Sequence, residues 1–388
     1  MIGVQAATES GVRYGRASER DHWIALSLVD GVGPAGFSRL IDRFGSAAAA
    51  WTAGERALSE LPSMTAATLA RSAAIRASDP RELSRRIAAR TRQCGGRVVT
   101  PLDDSYPVSL FMLDPRPPVL YVVGPDAAFR ERAVAIVGTR HATGYGLSVA
   151  TEIATELALT GMVVVSGLAL GVDGAAHRAV VGLERPTVAV LPSALDRVYP
   201  PRHRGLSRAI VAHGGALVTE VPVGFAIGRP DFARRNRVIA GLAEAVVVVE
   251  APDRSGALMT ASAAASIGRE VHAVPGPIDS MSSRGCNRLI ADHQAWIVTS
   301  AAALIRDIGV SRGAAPPAVA TLSEVEGQLL RRLLERSGSL EELVDRCRQP
   351  PAAIASGLSL LEARGLVNSF GGATFHPTLA AKRLGGVV

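Results

Sequence analysis

Val134–Arg140 reads VAIVGTR, Met162–Gly167 reads MVVVSG with Leu168–His177 (LALGVDGAAH) behind it, and Ala245–Glu250 reads AVVVVE ahead of Ser255-Gly256. Each is a hydrophobic run that ends in a glycine-bearing loop and then enters a helical pattern. A parallel sheet builds an anion site in this order, because loop amides and the helix N-terminus both turn positive partial charge outward. Three such corners on one sheet edge predict a phosphate-bearing ligand of some length.

Outward from these corners, further strands are expected near Val188, Leu217, His272 and Ile297, with helices starting near Gly146, Gly174, His203, Asp231, Leu258 and Asn287. The strands are rich in Val, Ile and Ala without polar alternation, as burial on both faces requires. Strands separated by helical stretches imply right-handed crossovers and a doubly wound parallel sheet. The proline-rich connection Val98–Tyr121 leads into it through a strand at Val119–Val123 and is expected to cover a sheet edge.

Residues 1–20 are polar and arginine-bearing and read as a flexible tail, with no apolar core of signal-peptide length. Residues 21–95 read as a helical domain. Trp23–Leu28 meets Asp30-Gly31-Val32-Gly33-Pro34 and then a second helix to Phe44. Helix, Gly-x-Gly turn, helix is the helix-hairpin-helix pattern, whose glycines let amides approach a DNA phosphate. A plain αα-hairpin accounts for the same residues. More helix is expected over Ala66–Ala77 and Arg81–Gln93.

The sheet domain is placed at 96–308, a linker at 309–320 (GVSRGAAPPAVA within Gly309–Ala320), and a last domain at 321–388. There Leu322–Glu335, Ser339–Cys347 and Ala352–Arg364 read as helices, and Leu366–Ser369 with Ala373–His376 as a short hairpin. The expected fold class is therefore α/β: an extended Rossmann-like, doubly wound parallel sheet. An N-terminal helical domain of helix-hairpin-helix (SAM-like) type precedes it, and a C-terminal winged-helix-like domain follows. The last domain carries Glu324, Glu326, Glu335, Glu341, Glu342 and Asp345, which favours protein contact over DNA reading.

The net charge is +7, from 42 basic and 35 acidic residues, and Lys382 is the only lysine, which leaves 42 − 1 = 41 arginines. Guanidinium groups grip phosphate bidentately and stack on bases. The three cysteines, Cys94, Cys286 and Cys347, are far apart and fit neither a zinc site nor a disulfide framework, so a reducing, cytoplasmic setting is expected. Apolar runs are broken well short of a bilayer span.

Candidate site residues cluster after the strands. Gly138, Thr139 and Arg140 supply a tight turn, a hydroxyl and a charge. The spacing to Gly144 and Gly146 misses the dinucleotide fingerprint, so no nicotinamide or flavin cofactor is expected. Ser166 and Gly167 end the second strand. Asp173 is placed to cap the next helix, and His177 bonds a loop carbonyl or touches ligand. Tyr199-Pro200-Pro201-Arg202-His203-Arg204 reads as a wall for a stacked base beside phosphate, or as a loop with a helix start. Phe232-Ala233-Arg234-Arg235-Asn236-Arg237 is the densest basic segment, an electrostatic footprint for several phosphates in which at least one arginine is expected to serve an internal salt bridge. Ser255 and Gly256 repeat the anion-site grammar. No metal-ligand spacing accompanies any of these.

Taken in order, AIVGTR at Ala135–Arg140, SGLALGVDGAAH at Ser166–His177, AVLPSALDRVYP at Ala189–Pro200, FARRNRVIAGL at Phe232–Leu242, VVEAPDRSGALMTA at Val248–Ala261 and AVPGPI at Ala273–Ile278 resemble the DNA-processing protein DprA (Smf) family. The resemblance runs from Trp23 to about Pro377. It implies a non-enzymatic homodimer that binds and protects single-stranded DNA and loads RecA during natural transformation, displacing single-strand-binding protein. Carried over by position, Gly138, Thr139 and Arg140 would hold phosphate, Ser166 and Gly167 would line the same pocket, and Arg235, Asn236, Arg237, Ser255 and Gly256 match the family's Arg-Asn-Arg and Ser-Gly turns. Arg202 and Arg204 would stand in for family lysines. His203 stands where an asparagine is usual, and Ala233 where a proline is. Two other functions share such a sheet: a nucleoside-monophosphate phosphoribohydrolase, whose Pro-Gly-Gly-x-Gly-Thr-x-x-Glu signature the chain lacks, and a nucleotide sensor.

Overall fold

The apolar runs assemble into one nine-stranded sheet in a computed structural model that describes residues 17–59, 61–129, 131–309, 322–363, 366–370 and 374–377. Six helices lead into it among the described residues: α1 (Glu19–Ser27), α2 (Pro34–Phe44), α3 (Ala47–Ala53), α4 (Glu55–Ser59), α5 (Ala66–Arg76) and α6 (Pro80–Gln93). The sheet segment then runs β1 (Gly96–Val99), β2 (Leu120–Val123), β3 (Ala133–Val137), α7 (Gly144–Leu159), β4 (Val163–Ser166), α8 (Val172–Gly182), β5 (Thr187–Val190), α9 (Arg204–Ala212) and β6 (Ala216–Thr219). It continues through α10 (Arg229–Leu242), β7 (Ala245–Val248), α11 (Gly256–Ser266), β8 (Glu270–Ala273), α12 (Arg284–Ala291), β9 (Trp296–Ile297) and α13 (Ala301–Asp307).

The strand order is β1-β2-β6-β5-β4-β3-β7-β8-β9. From β6 to β9 every pair is parallel. The proline-rich connection does more than cover an edge: β2 pairs antiparallel with β6, and β1 antiparallel with β2, so two strands extend the sheet. The chain winds outward from β3 to β6, then returns across the sheet to lay β7 on the other side of β3. The connections after β3 and β7 therefore part company, and a crevice opens at their carboxyl ends, where such sheets bind ligands.

Side chains of each strand alternate between two layers. Val134, Ile136 and Val164 pack with α7, α8 and α13, whereas Ala133, Ala135, Val137, Val163 and Val165 pack with α10 and α11. The N-terminal helices share a core with Tyr121, Leu168, Leu191 and Leu217. Trp23 anchors them, its indole N–H donating to Pro118 O at 2.7 Å and its ring 4.8 Å from Phe37.

Residues 17–20 are not tail. Ser18 and Asp21 form a capping box at α1, and Arg20 pairs with Asp103 at 2.7 Å. Reciprocal satisfaction of two orphan N–H groups starts the helix there. Residues 1–16 and most of the expected linker lie outside the described residues. The last segment holds α14 (Glu324–Glu335), β10 (Gly338–Ser339), α15 (Leu340–Cys347), α16 (Pro351–Ala363), β11 (Val367–Phe370) and β12 (Thr374–Pro377). Its strands form an antiparallel sheet in the order β10-β12-β11, and its helices close their own core around Leu329, Leu343 and Leu358. Among the described residues no helix is long and apolar enough to cross a membrane.

Candidate nucleic-acid interface

The loops after β3 and β7 are fastened to each other. Thr139 N–H donates to Glu250 O at 2.6 Å, and Thr139 O accepts the N–H of Val172 at 3.3 Å. The buried Glu250 carboxylate accepts from Thr143 N–H at 2.8 Å, the Thr143 hydroxyl at 2.9 Å and the Ser282 hydroxyl at 2.8 Å. Its charge is committed to the framework. Gly138 is required by close approach, since a Cβ there would stand 2.5 Å from Val172 Cγ2 and 3.0 Å from Glu250 O.

This framework, with the first turns of α8 and α11 and the flank of α10, encloses a cleft of about 310 Å³. Gly138, Thr139, Arg140, Arg235, Asn236, Ser255 and Gly256 all line it. Among its lining residues are three arginines (Arg140, Arg235 and Arg254) and one carboxylate (Asp173), an excess of two positive charges. Ser255 caps α11, its hydroxyl accepting from Ala257 N–H at 3.2 Å, and Asn236 Nδ2 donates to Gly256 O at 3.1 Å, so α10 holds the α11 entrance in place.

Arg140 is exposed, and its guanidinium lies 5.1 Å from the centroid of the Phe232 ring. Phe232 in turn meets Tyr199 edge-on at 5.8 Å. A cation over an aromatic face keeps its outer donors free while its position is fixed. The result is a forward-facing charge beside two rings, the combination a phosphate and an unpaired base would meet.

Arg235 plays a different part. It is 7% exposed, with Nη1 3.7 Å from Asp173 Oδ2. Asp173 also accepts from the N–H groups of Gly167 at 3.1 Å and Ala169 at 3.4 Å. Burial pushes the Asp173 carboxyl up while Arg235 and those amides pull it back, and burial lowers the Arg235 guanidinium. The expected capping role of Asp173 is thus corrected: the N-cap of α8 is Gly171 and makes no side-chain cap, because the carboxylate reaches back to the loop amides and the buried cation. Gly167 is glycine for the same reason, since a Cβ would fall 1.1 Å from Arg235 Nη1.

Gly167, packed against Arg235, does not line the cleft, and four other expected ligand contacts are not brought to it in the expected way. Ser166 is wholly buried and its hydroxyl donates to Ile136 O at 2.6 Å, which spends it on stitching β4 to β3. Arg237 leaves α10 on another side, where it bonds Pro115 O and the buried Glu220, whose carboxyl is pushed up to about 7 by burial. Arg202 and Arg204 are exposed around the start of α9 but do not line the cleft. His203, between them, is buried with Nδ1 2.9 Å from Leu168 O. Arg254 and His141 line the cleft and were missed by the sequence reading. The signal for Arg254 was its place directly before Ser255-Gly256, where a residue ahead of a helix cap must stand at the helix mouth.

His177 is structural. Thr187 Oγ1 donates to Val164 O at 2.6 Å, so it accepts from His177 Nδ1 at 2.9 Å, which places a proton on Nδ1. Burial, with His203 and Arg235 nearby, depresses its pKa to about 3. Between pH 6.5 and about 3 the unfolded chain therefore takes up a proton that the folded chain refuses. Stability is complete above that window and falls as pH falls through it. In urea unfolding, His177→Asn should flatten this fall by up to one proton, about 1.4 kcal/mol per pH unit. An unchanged slope would assign the acid sensitivity to other groups.

Among the described residues no three His, Cys, Asp or Glu side chains gather as metal ligands. A family model for DNA recombination-mediator protein A matches residues 97–309, and one for the DprA-like N-terminal HHH domain matches residues 17–89. The chain is 41% identical over 292 residues to a putative DNA processing protein DprA of Mycobacterium tuberculosis, covering 70% of this chain and 75% of that one. It is 36% identical over 297 residues to protein Smf of Synechocystis, covering 75% and 73%. The X-ray structure of DNA processing protein A from Streptococcus pneumoniae superposes with a TM-score of 0.62 at 27% identity, over 76% of this chain and 99% of that one. A Helicobacter pylori DNA processing protein A, described for its single-stranded DNA binding mode, superposes with a TM-score of 0.50 at 27% identity, over 55% and 97%.

Proposed function

This chain belongs to the DNA recombination-mediator protein A (DprA/Smf) family, and on that premise we propose that it captures single-stranded DNA in the cleft at the carboxyl ends of β3, β4 and β7. The observation that carries the reading is the forward-facing Arg140 on Phe232, in a cleft with two surplus positive charges. Gly138 and Gly256 bring main chain to the anion site and the Thr139 and Ser255 hydroxyls can donate there, while the N–H groups of Thr139 and Ser255 are spent on Glu250 O and Pro252 O, and Arg254 joins Arg140 as a phosphate ligand. Phe232 and Tyr199 offer the bases a face. The buried Arg235 forms the floor and Asn236 holds the α11 entrance. Arg202 and Arg204 serve as outlying charges along the approach.

The protein performs no catalysis in this reading. The carboxylate lining the cleft is bound to a guanidinium and two amides, and Glu250 is bound by three donors, so neither is poised as a base. The bound strand is protected and delivered to RecA in the cytoplasm, in exchange with single-strand-binding protein, by a homodimer. The last segment, with three helices and a three-stranded antiparallel sheet, acts as a winged-helix-like protein-contact module.

Fluorescent oligo-dT and its duplex with oligo-dA, titrated at two salt concentrations, test the reading. The single strand should bind more tightly, and log K should fall with log salt by about 0.7 for each phosphate neutralised. Equal affinity for duplex, or affinity indifferent to salt, would contradict it. RecA filament growth on strands coated with single-strand-binding protein, with and without this protein, tests delivery.

A further inference from the structure

We propose that the single strand held at Arg140 and Phe232 runs on along the carboxyl edge of the sheet, stacks on Phe225 and reaches Arg90 and Arg86 of α6, which makes the N-terminal helical domain part of the DNA track. This rests on the single-strand reading above. β5 and β6 are parallel neighbours, so the loop with Tyr199 and the loop over 220–228 leave the sheet at the same edge. Phe225 on the second loop is 42% exposed, as open as Tyr199 at 40%. That loop reaches the Gly228 N-cap of α10 three residues later, and Phe232 sits in the first turn of the helix. Three extended residues and one helical turn span about 16 Å at most, which about five stacked nucleotides cover at 3.4 Å each. The carboxylates beside this span are engaged. Asp231 accepts from Gly228 N–H at 2.7 Å and stands 3.4 Å from Arg234, and Glu220 pairs with Arg237.

α6 supplies the charge. PRELSRRIAARTRQ holds five arginines against one glutamate. Arg85, Arg86, Arg90 and Arg92 are exposed and form no ion pair among the described residues. Leu83, Ser84, Ile87 and Thr91 face the core. At about 100° per residue this buried stripe parts the exposed arginines into two flanks, Arg86 with Arg90 and Arg85 with Arg92. The first flank meets the sheet domain: a Cβ on Gly224, beside Phe225, would stand 3.1 Å from Arg90 Nη1. An aromatic ring beside an uncommitted guanidinium repeats the arrangement of Arg140 and Phe232. Like charges four residues apart destabilise a helix, and a phosphate between Arg86 and Arg90 removes that cost. The hairpin turn is occupied by its own domain instead. A Cβ on Gly31 would stand 2.6 Å from Thr68 Cγ2, and Gly31 O accepts from the Ser63 hydroxyl at 2.9 Å.

The full-length protein is titrated with oligo-dT of about 4 and about 16 nucleotides. Arg86→Ala/Arg90→Ala should weaken the long strand about five- to thirtyfold and lower its salt slope by about 1.4, two phosphates at about 0.7 each, while the short strand binds as to wild type. Phe225→Ala should weaken the long strand about fivefold, the loss of one stacked base. Arg85→Ala/Arg92→Ala removes the same charge from the other flank and should leave both lengths within about twofold of wild type, because charges off the path are screened. Thermal melting checks that each variant keeps the wild-type fold. Equal losses from the two double variants would reduce α6 to bulk charge and overturn the track. Equal losses at both lengths, or no loss at either, would overturn it too and leave the first cleft intact. Wild-type protein that binds neither length would remove the single-strand reading and this path with it.

Discussion

Arg140→Ala should lower affinity for single-stranded DNA by about ten- to a hundredfold, the equivalent of losing one hydrogen-bonded ion contact of about 1.5–3 kcal/mol. The guanidinium is exposed and held over Phe232, so its removal takes charge from the cleft without opening the core. The unfolding midpoint should scarcely move, because exposed substitutions of this kind change stability by about 0.5 kcal/mol or less. The salt slope should drop by about 0.7. Fluorescence anisotropy at low and moderate salt reads both quantities. Wild-type affinity in the variant would take Arg140 out of the interface. A wild-type slope with weakened binding would mean that it acts on a base or on Phe232 rather than on phosphate.

The largest stability effect is expected from Asp173→Ala. It leaves Arg235 charged, buried and unpaired, and takes the acceptor from the N–H groups of Gly167 and Ala169. Removing one partner of a buried pair costs about 3–5 kcal/mol. A buried pair is a poor net stabiliser compared with apolar packing, so the double variant Asp173→Ala/Arg235→Met should recover more than half of that loss. Denaturant melts of the two singles and the double form the cycle. If the double is as unstable as the Asp173 single, the damage lies in the loop amides and the ion pair is incidental. The pair sets the cleft floor, so the double variant also asks whether a neutral floor still binds DNA. Retained affinity would show that Arg140 and Arg254 carry the electrostatics, while Arg235 only shapes the site.

Arginines are where sequence and structure diverge most. Arg234–Arg237 holds three guanidinium groups in four positions, and the sequence predicts one footprint in which at least one arginine makes an internal salt bridge. On α10 each residue turns about 100° from the last. Arg235 is buried against Asp173, Arg237 turns to Glu220, and Arg234 stands 3.4 Å from Asp231. Two arginines at strand-following loops, Arg140 and Arg254, are left to face the cleft. The carboxylates that neutralise Arg235 and Arg237 come from other elements, and nothing in the local pattern of α10 names them.

Read alone, the chain determined the strands, the helices that follow them and the strand–glycine–helix corners. These depend on short-range causes: apolar runs long enough for a doubly covered strand, glycine where the main chain turns against a neighbour, and a hydroxyl at a helix mouth. Ser166 shows where such reasoning ends, because its hydroxyl faces β3 and not the cleft. The addition of β1 and β2 to the sheet edge, the start of α1 at Ser18 and the division of arginines between core and cleft were decided by tertiary structure. Desolvating a charge is tolerable only beside a partner, and partners distant in sequence become neighbours only once the sheet has closed.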